Sequence, residues 1–203
     1  MQSKNKINNN GFEYVDLCLP SGTLWATCNV GTSKPTDYGL YFQWGDTKGC
    51  TKDQVGKDKQ FNEDDYKWGA YQDFTKYKKI GDKLELEDDA AHVRMGGGWH
   101  MPTPEQIKEL IDNTMTTWTT LCGVKGLTFT SKKDSSKHIF IPAEGNAWDG
   151  LVNISGSYGY VWSSVLGMDT VCGSQFLIFN SEGAYLSDAG YRSDGLSVRG
   201  VIG

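Results

Sequence analysis

The stretch Gly96–Ile111, GGGWHMPTPEQIKELI, decides how the chain is read. Three glycines run into a helix start, an arrangement that either cradles an anion or turns a corner in a scaffold. Thr103 can cap the helix, Pro104 fits its first turn, and Gln106 completes a Thr-x-x-Gln capping box. Ile107, Leu110 and Ile111 then fall on one face, at the spacing of a core-packed helix. A dinucleotide fingerprint needs GxGxxG leading straight from a strand into a helix, and a phosphate loop needs GxxxxGK[ST]. Here the glycines are consecutive, follow a helical segment, and are separated from the next helix by Trp-His-Met-Pro. The corner reading is the better one; an anion at the Thr103 helix start is the alternative.

Working outward, Glu87-Asp88-Asp89 followed by Ala90–Met95 predicts a shorter helix, with acids opposing the macrodipole and Gly96 at its stop. The same acids read better as a solvated helix end than as paired catalytic carboxylates. Phe12–Leu17 and Thr23–Val30 flank Pro20-Ser21-Gly22, which predicts a hairpin. Tyr38–Trp44 is an aromatic segment, and residues 46–85, rich in Lys and Asp, read as a long irregular excursion. Beyond Lys137, segments 138–142, 162–164, 175–179, 183–187 and 196–201 are strand-like and separated by Gly, Ser and Asp turns. The sum is an α+β fold, two helices embedded in mainly antiparallel sheets with long irregular loops. Residues 1–10 are expected to be a disordered tail and residues 11–203 a single domain.

Composition removes several functions. A net charge of -5 gives no basic footprint for nucleic acid, so none is expected as a partner. No apolar run is long enough to span a membrane, and the opening MQSKNKINNN has neither an apolar signal core nor a lipid-attachment cysteine. The five cysteines show no CxxC spacing, so free or buried thiols are expected, with one disulfide left open. His92, His100 and His138 belong to no metal-ligand spacing and read as structural. No GxSxG elbow is present. The chain is therefore expected to be non-catalytic and to carry no cofactor.

Several segments together carry a resemblance. Glu13–Leu17, Leu19–Gly31, Tyr41–Gly45, Glu87–Val93, Gly97–Thr103, Trp118–Thr120, Gly123–Gly126, Ser157–Tyr160, Trp162–Ser164 and Gly195–Arg199 resemble, in order, the major paralogous domain family first named from Fibrobacter succinogenes. The resemblance implies a C-type lectin-like fold in the broad form also used by formylglycine-generating enzymes. It also implies an extracellular, cell-surface or phage-virion setting and a protein or glycan ligand there. The chain departs from the family at Gly200, where proline is usual, and near Asn113, where a cysteine that could partner Cys28 is missing. The cysteine pair of the formylglycine-generating enzymes is also absent: the C-terminal region holds only Cys172. Sugar-binding relatives hold calcium through Glu-Pro-Asn and Trp-Asn-Asp. Glu144–Asp149 has the oxygens but neither motif, so calcium stays a minor alternative.

The C-terminal third is built differently from the rest. No lysine follows Lys137, and its cations are Arg192 and Arg199. In 176–179 side chains alternate, so Leu177 and Phe179 share the core face, while Phe176 and Ile178 are expected on the other. Ala184 and Leu186 are expected as core partners, with Tyr185 and Ser187 outward. Among similar lectin-like proteins this region is rewritten by diversity-generating retroelements, which alter adenines and turn Asn codons into many residue types, never Lys. The resemblance thus implies a variable binding region over 165–200, with ligand contacts at Phe176, Ile178, Tyr185, Ser187, Asp188, Tyr191, Ser193, Asp194 and Leu196. Exposed aromatics among small polar neighbours suit such a surface. The alternatives are a 175–179 segment buried on both faces, a surface or pilus-tip adhesin without a variable site, and an enzyme of the formylglycine-generating type.

Overall fold

The computed structural model describes residues 6–7, 10–71 and 73–203. Of the expected tail, residues 1–5 and 8–9 lie outside that set. Lys6–Ile7 (β1) pairs with Glu13–Asp16 (β2), and the Asn10 side chain donates to Met95 O at 2.7 Å. The anticipated hairpin forms between β2 and Leu24–Asn29 (β3), and β3 also pairs antiparallel with Arg199–Ile202 (β12). Segments from the two ends of the described chain therefore share one sheet, β1-β2-β3-β12.

Both expected helices are present. Ala90–Met95 (α1) is capped by Asp89, whose carboxylate accepts the His92 N–H at 2.9 Å. The same carboxylate accepts the Met101 N–H at 2.8 Å, so the glycine corner closes on an internal acid. Trp99 lies fully buried inside that corner. Pro104–Asn113 (α2) carries the predicted box: Thr103 Oγ1 accepts from Gln106 N at 3.3 Å and Gln106 Oε1 accepts from Thr103 N at 2.9 Å. Ile107 and Leu110 are its buried stripe. Thr103→Ala is expected to cost about 1 kcal/mol, seen as a lower urea midpoint with an unchanged m-value; an unshifted midpoint would show the box to be idle.

Three further strand groups complete the fold. Thr114–Leu121 (β4), Val124–Ser131 (β5) and His138–Pro142 (β6) form an antiparallel sheet, and Asn146–Trp148 (β7) pairs with Leu151–Asn153 (β8). Gly159–Leu166 (β9), Gly173–Asn180 (β10) and Gly183–Tyr191 (β11) form the last sheet, with β10 in the middle. An α+β class with mainly antiparallel sheets therefore stands. All five cysteines are unbridged.

β9 and β10 separate two cores. Val161, Leu177 and Phe179 face one, with Trp25, Ile107, Leu110 and Phe129. Trp162 and Phe176 face the other, with Trp44, Trp68 and Trp99. This corrects the expectation that Phe176 points outward. As the central strand with a core on each face, β10 buries both of its sides, which is why its sequence reads as a continuous apolar run.

Candidate functional site

Of seven tryptophans, Trp148 alone is widely exposed, at 56%. The β7–β8 hairpin carries it. Asp149 and Gly150 both take positive φ, +48° and +75°, as a two-residue primed turn requires. The hairpin docks onto the C-terminal segment through two short backbone bonds, Ala147 N to Gly195 O and Gly195 N to Ala147 O, both 2.8 Å. That antiparallel bridge sets Trp148 opposite Asp194 in register. A side chain at Gly195 is forbidden: its Cβ would lie 2.5 Å from the Phe61 ring and 2.8 Å from Ala147 Cβ. On the hairpin's other flank, Gly150 N donates to Gln60 O at 2.6 Å.

These pieces enclose an open cleft of about 360 Å³ lined by Asn62, Glu63, Asp64, Trp148, Tyr191, Ser193 and Asp194. Tyr191 is 60% exposed at the end of β11. Glu63 and Asp64 stand exposed on a short 3-10 turn that Asn62 caps, its side chain accepting from Asp64 N at 3.2 Å. Asp194 is half-buried, and its enclosed Oδ1 has no donor among the described residues. Burial pushes its carboxyl up to about 7, the Tyr191 backbone N–H offsetting only part.

Between Tyr191 and Ser193 in the chain stands Arg192, 1% exposed. Its guanidinium carbon sits 4.1 Å from the Phe74 ring centre and 5.2 to 5.9 Å from those of Tyr66, Trp44 and Trp68. Nε donates to Tyr66 Oη at 2.9 Å, Nη1 to Tyr77 O and Val171 O at 3.0 and 3.2 Å, and Nη2 to Lys76 O at 3.0 Å. One side chain thus ties the 46–85 excursion to the strand end that presents Tyr191, Ser193 and Asp194.

Of the residues expected to meet a ligand, the structure brings Tyr191, Ser193 and Asp194 together in this cleft. Tyr185 is 53% exposed on β11 and pairs in register with half-buried Ile178 of β10; Ser187 and Asp188 are half-buried further along β11. Phe176 is a correction, sealed edge-on against Trp162 with ring centres 5.8 Å apart. Leu196 is another: its backbone pairs with Phe42 and its side chain joins the tryptophan-rich core. Ser193, although it lines the cleft, is itself buried, and its carbonyl accepts from Gln43 Nε2 at 2.9 Å.

Other sites of expected chemistry are already occupied by the protein's own groups. Glu144 is fully buried, its Oε1 accepting from Tyr160 N at 2.7 Å, whereas Asp149 sits on the exposed turn, so the two ends of the oxygen-rich 144–149 segment point to different environments. Among the described residues, the three acidic ligand atoms within 4.8 Å of one another belong to Glu85, Glu87 and Asp88. Lys76 Nζ is bonded to all three. His92 and His100 are bound to backbone carbonyls. A more enclosed hollow of about 240 Å³ beside β2 and β3 has Glu13 as its one charged lining residue and no widely exposed aromatic.

Sequence reasoning missed Trp148, Asn62, Glu63 and Asp64. The signal for Trp148 is present in Asp149-Gly150, a strong short hairpin cue. No protein-family model, no curated protein and no solved structure matches this chain.

Proposed function

We propose that this is a non-catalytic ligand-binding protein on a C-type lectin-like frame, related to the family its sequence resembles, with its ligand surface on the C-terminal third. The observation that carries this reading is the cleft between Trp148 and Tyr191. Two large rings stand in solvent beside polar groups, on a backbone fixed by the Ala147–Gly195 bridge and the buried Arg192. Rings held this way contribute contact area with little lost rotamer freedom. The frame supports the lectin-like assignment through strands from both ends sharing one sheet, two helices and a long irregular excursion. Among the described residues no helix is long and apolar enough to cross a membrane. If the region is diversified, the outward positions Tyr185, Tyr191 and Asp194 are where variation reaches a ligand, with Ser187 and Asp188 beside them. Sealed Phe176 and Leu196 act as packing.

The test is binding of the intact protein to bacterial surfaces and to arrayed proteins and glycans. Trp148→Ala and Tyr191→Ala are each expected to weaken the strongest interaction about tenfold or more. Met115→Ala, exposed on β4, is expected to leave it unchanged. Wild-type binding by both cleft variants would reject this surface.

A further inference from the structure

The C-terminal third has an unusual charge economy. Its two cations after Lys137, Arg192 and Arg199, are both buried, at 1% and 0% exposure. Every exposed charge of that third is therefore acidic, apart from what His138 can contribute. The cleft continues the pattern: Glu63, Asp64 and Asp194 line it and no lysine or arginine does. The lysines that flank residues 62–64 in sequence are engaged with other acids, Lys59 with Asp46 at 2.9 Å and Lys67 with Asp88 at 2.8 Å. Electron-rich ring faces at Trp148 and Tyr191 attract the same kind of group as these carboxylates do. Asp194 lines the cleft as well, and its Oδ1 has no hydrogen-bond partner among the described residues.

We propose that the cleft takes a cationic side chain, lysine or arginine, presented by a protein partner. The proposal rests on the ligand-binding reading above and narrows it to one chemistry. A neutral sugar could stack on the rings, but it would leave the Glu63 and Asp64 carboxylates, and Asp194 once ionised, without a counter-charge. An acidic partner would be repelled by them.

The test uses the intact protein and three small probes: the Nα-acetyl methylamides of lysine, arginine and norleucine, the last a neutral stand-in of similar reach. Binding is read from the indole N–H signal of Trp148 in a two-dimensional NMR spectrum, assigned by its loss in Trp148→Phe. Saturable shifts are expected with the two cations, weakening as salt is raised, and norleucine is expected to bind about tenfold more weakly or worse. Asp194→Asn and the double variant Glu63→Gln/Asp64→Asn should each weaken the cations while leaving norleucine unchanged. The other indole signals report that these variants remain folded.

Equal affinity for norleucine overturns the proposal. So does saturation by a neutral oligosaccharide without any by lysine or arginine, or the absence of a saturable shift with either cation. If the cations fail while Trp148→Ala and Tyr191→Ala still abolish binding to the surface ligand, the binding face stands and the cation specificity falls.

Discussion

Arg192→Met is expected to lower the unfolding free energy by roughly 4 kcal/mol, because it removes four hydrogen bonds at once, two of them buried. Methionine fills much of the volume but donates nothing to Tyr66 Oη or to the carbonyls of Lys76, Tyr77 and Val171. Replacing a whole buried charged network by apolar groups can be neutral; here the acceptors stay behind, and the four surrounding rings lose their cation. Removing the buried charge returns some desolvation energy, less than the four lost hydrogen bonds cost. Arg192→Lys keeps the charge but has three donors and no planar fork, so an intermediate loss of about 2 kcal/mol is expected. Urea denaturation of both variants gives the comparison. Native-state hydrogen exchange should show the loosening concentrated over residues 66–77. A midpoint for Arg192→Met close to wild type would mean that the rings alone hold the excursion.

The second large effect is on pH dependence. Glu144 is fully buried, and desolvation pushes its carboxyl from the ordinary 4.5 up to about 8, with the Tyr160 N–H and the charge of Arg199 only partly opposing. In acid below about 4.5 both folded and unfolded chains hold the proton, and its contribution to stability is complete. Between about 4.5 and about 8 the unfolded chain releases the proton while the folded one keeps it, so stability falls with rising pH. At about 1.4 kcal/mol for each pKa step, the loss across that window is several kcal/mol. Glu144→Gln keeps an acceptor for Tyr160 and removes the titration. It is expected to abolish this component, so that the variant gains on wild type steadily from pH 5 to pH 8. Asp194, raised to about 7 by burial, adds a slope of the same sign to both proteins and cancels in the difference. Parallel melting profiles for the two proteins across that range would refute the assignment.

What was legible in the sequence was local. The Thr103–Gln106 box and the Ile107–Leu110 stripe specify α2 through contacts a few residues apart, and Asp89 marks the start of α1 in the same way. The Pro20–Gly22 turn specified the β2–β3 pairing. The faces of β10 were not legible from alternation, because a period of two separates side chains into two sets without saying what covers each. The unbroken Phe176–Phe179 run was the better guide. Nothing in the residues around Arg192 marks it as interior, and only the distant rings of Trp44, Tyr66, Trp68 and Phe74 make it an interior group. The acidic wall of the cleft was hidden for a related reason: Glu63 and Asp64 lie far in sequence from Trp148 and Asp194, in an excursion whose path no local pattern dictates. The Thr-rich β4 was passed over because its outward face is polar and its turn, Cys122-Gly123, lacks the usual Asn or Asp.

The bridge of Ala147 to Gly195 has a practical consequence for anyone wishing to retarget the protein. The bridge itself is made of main-chain atoms, so exposed neighbouring side chains can be exchanged without removing it. A combinatorial library randomised at 148, 185, 191 and 194 should yield mostly folded clones, whereas one randomised at 176, 195 and 196 should yield mostly insoluble ones.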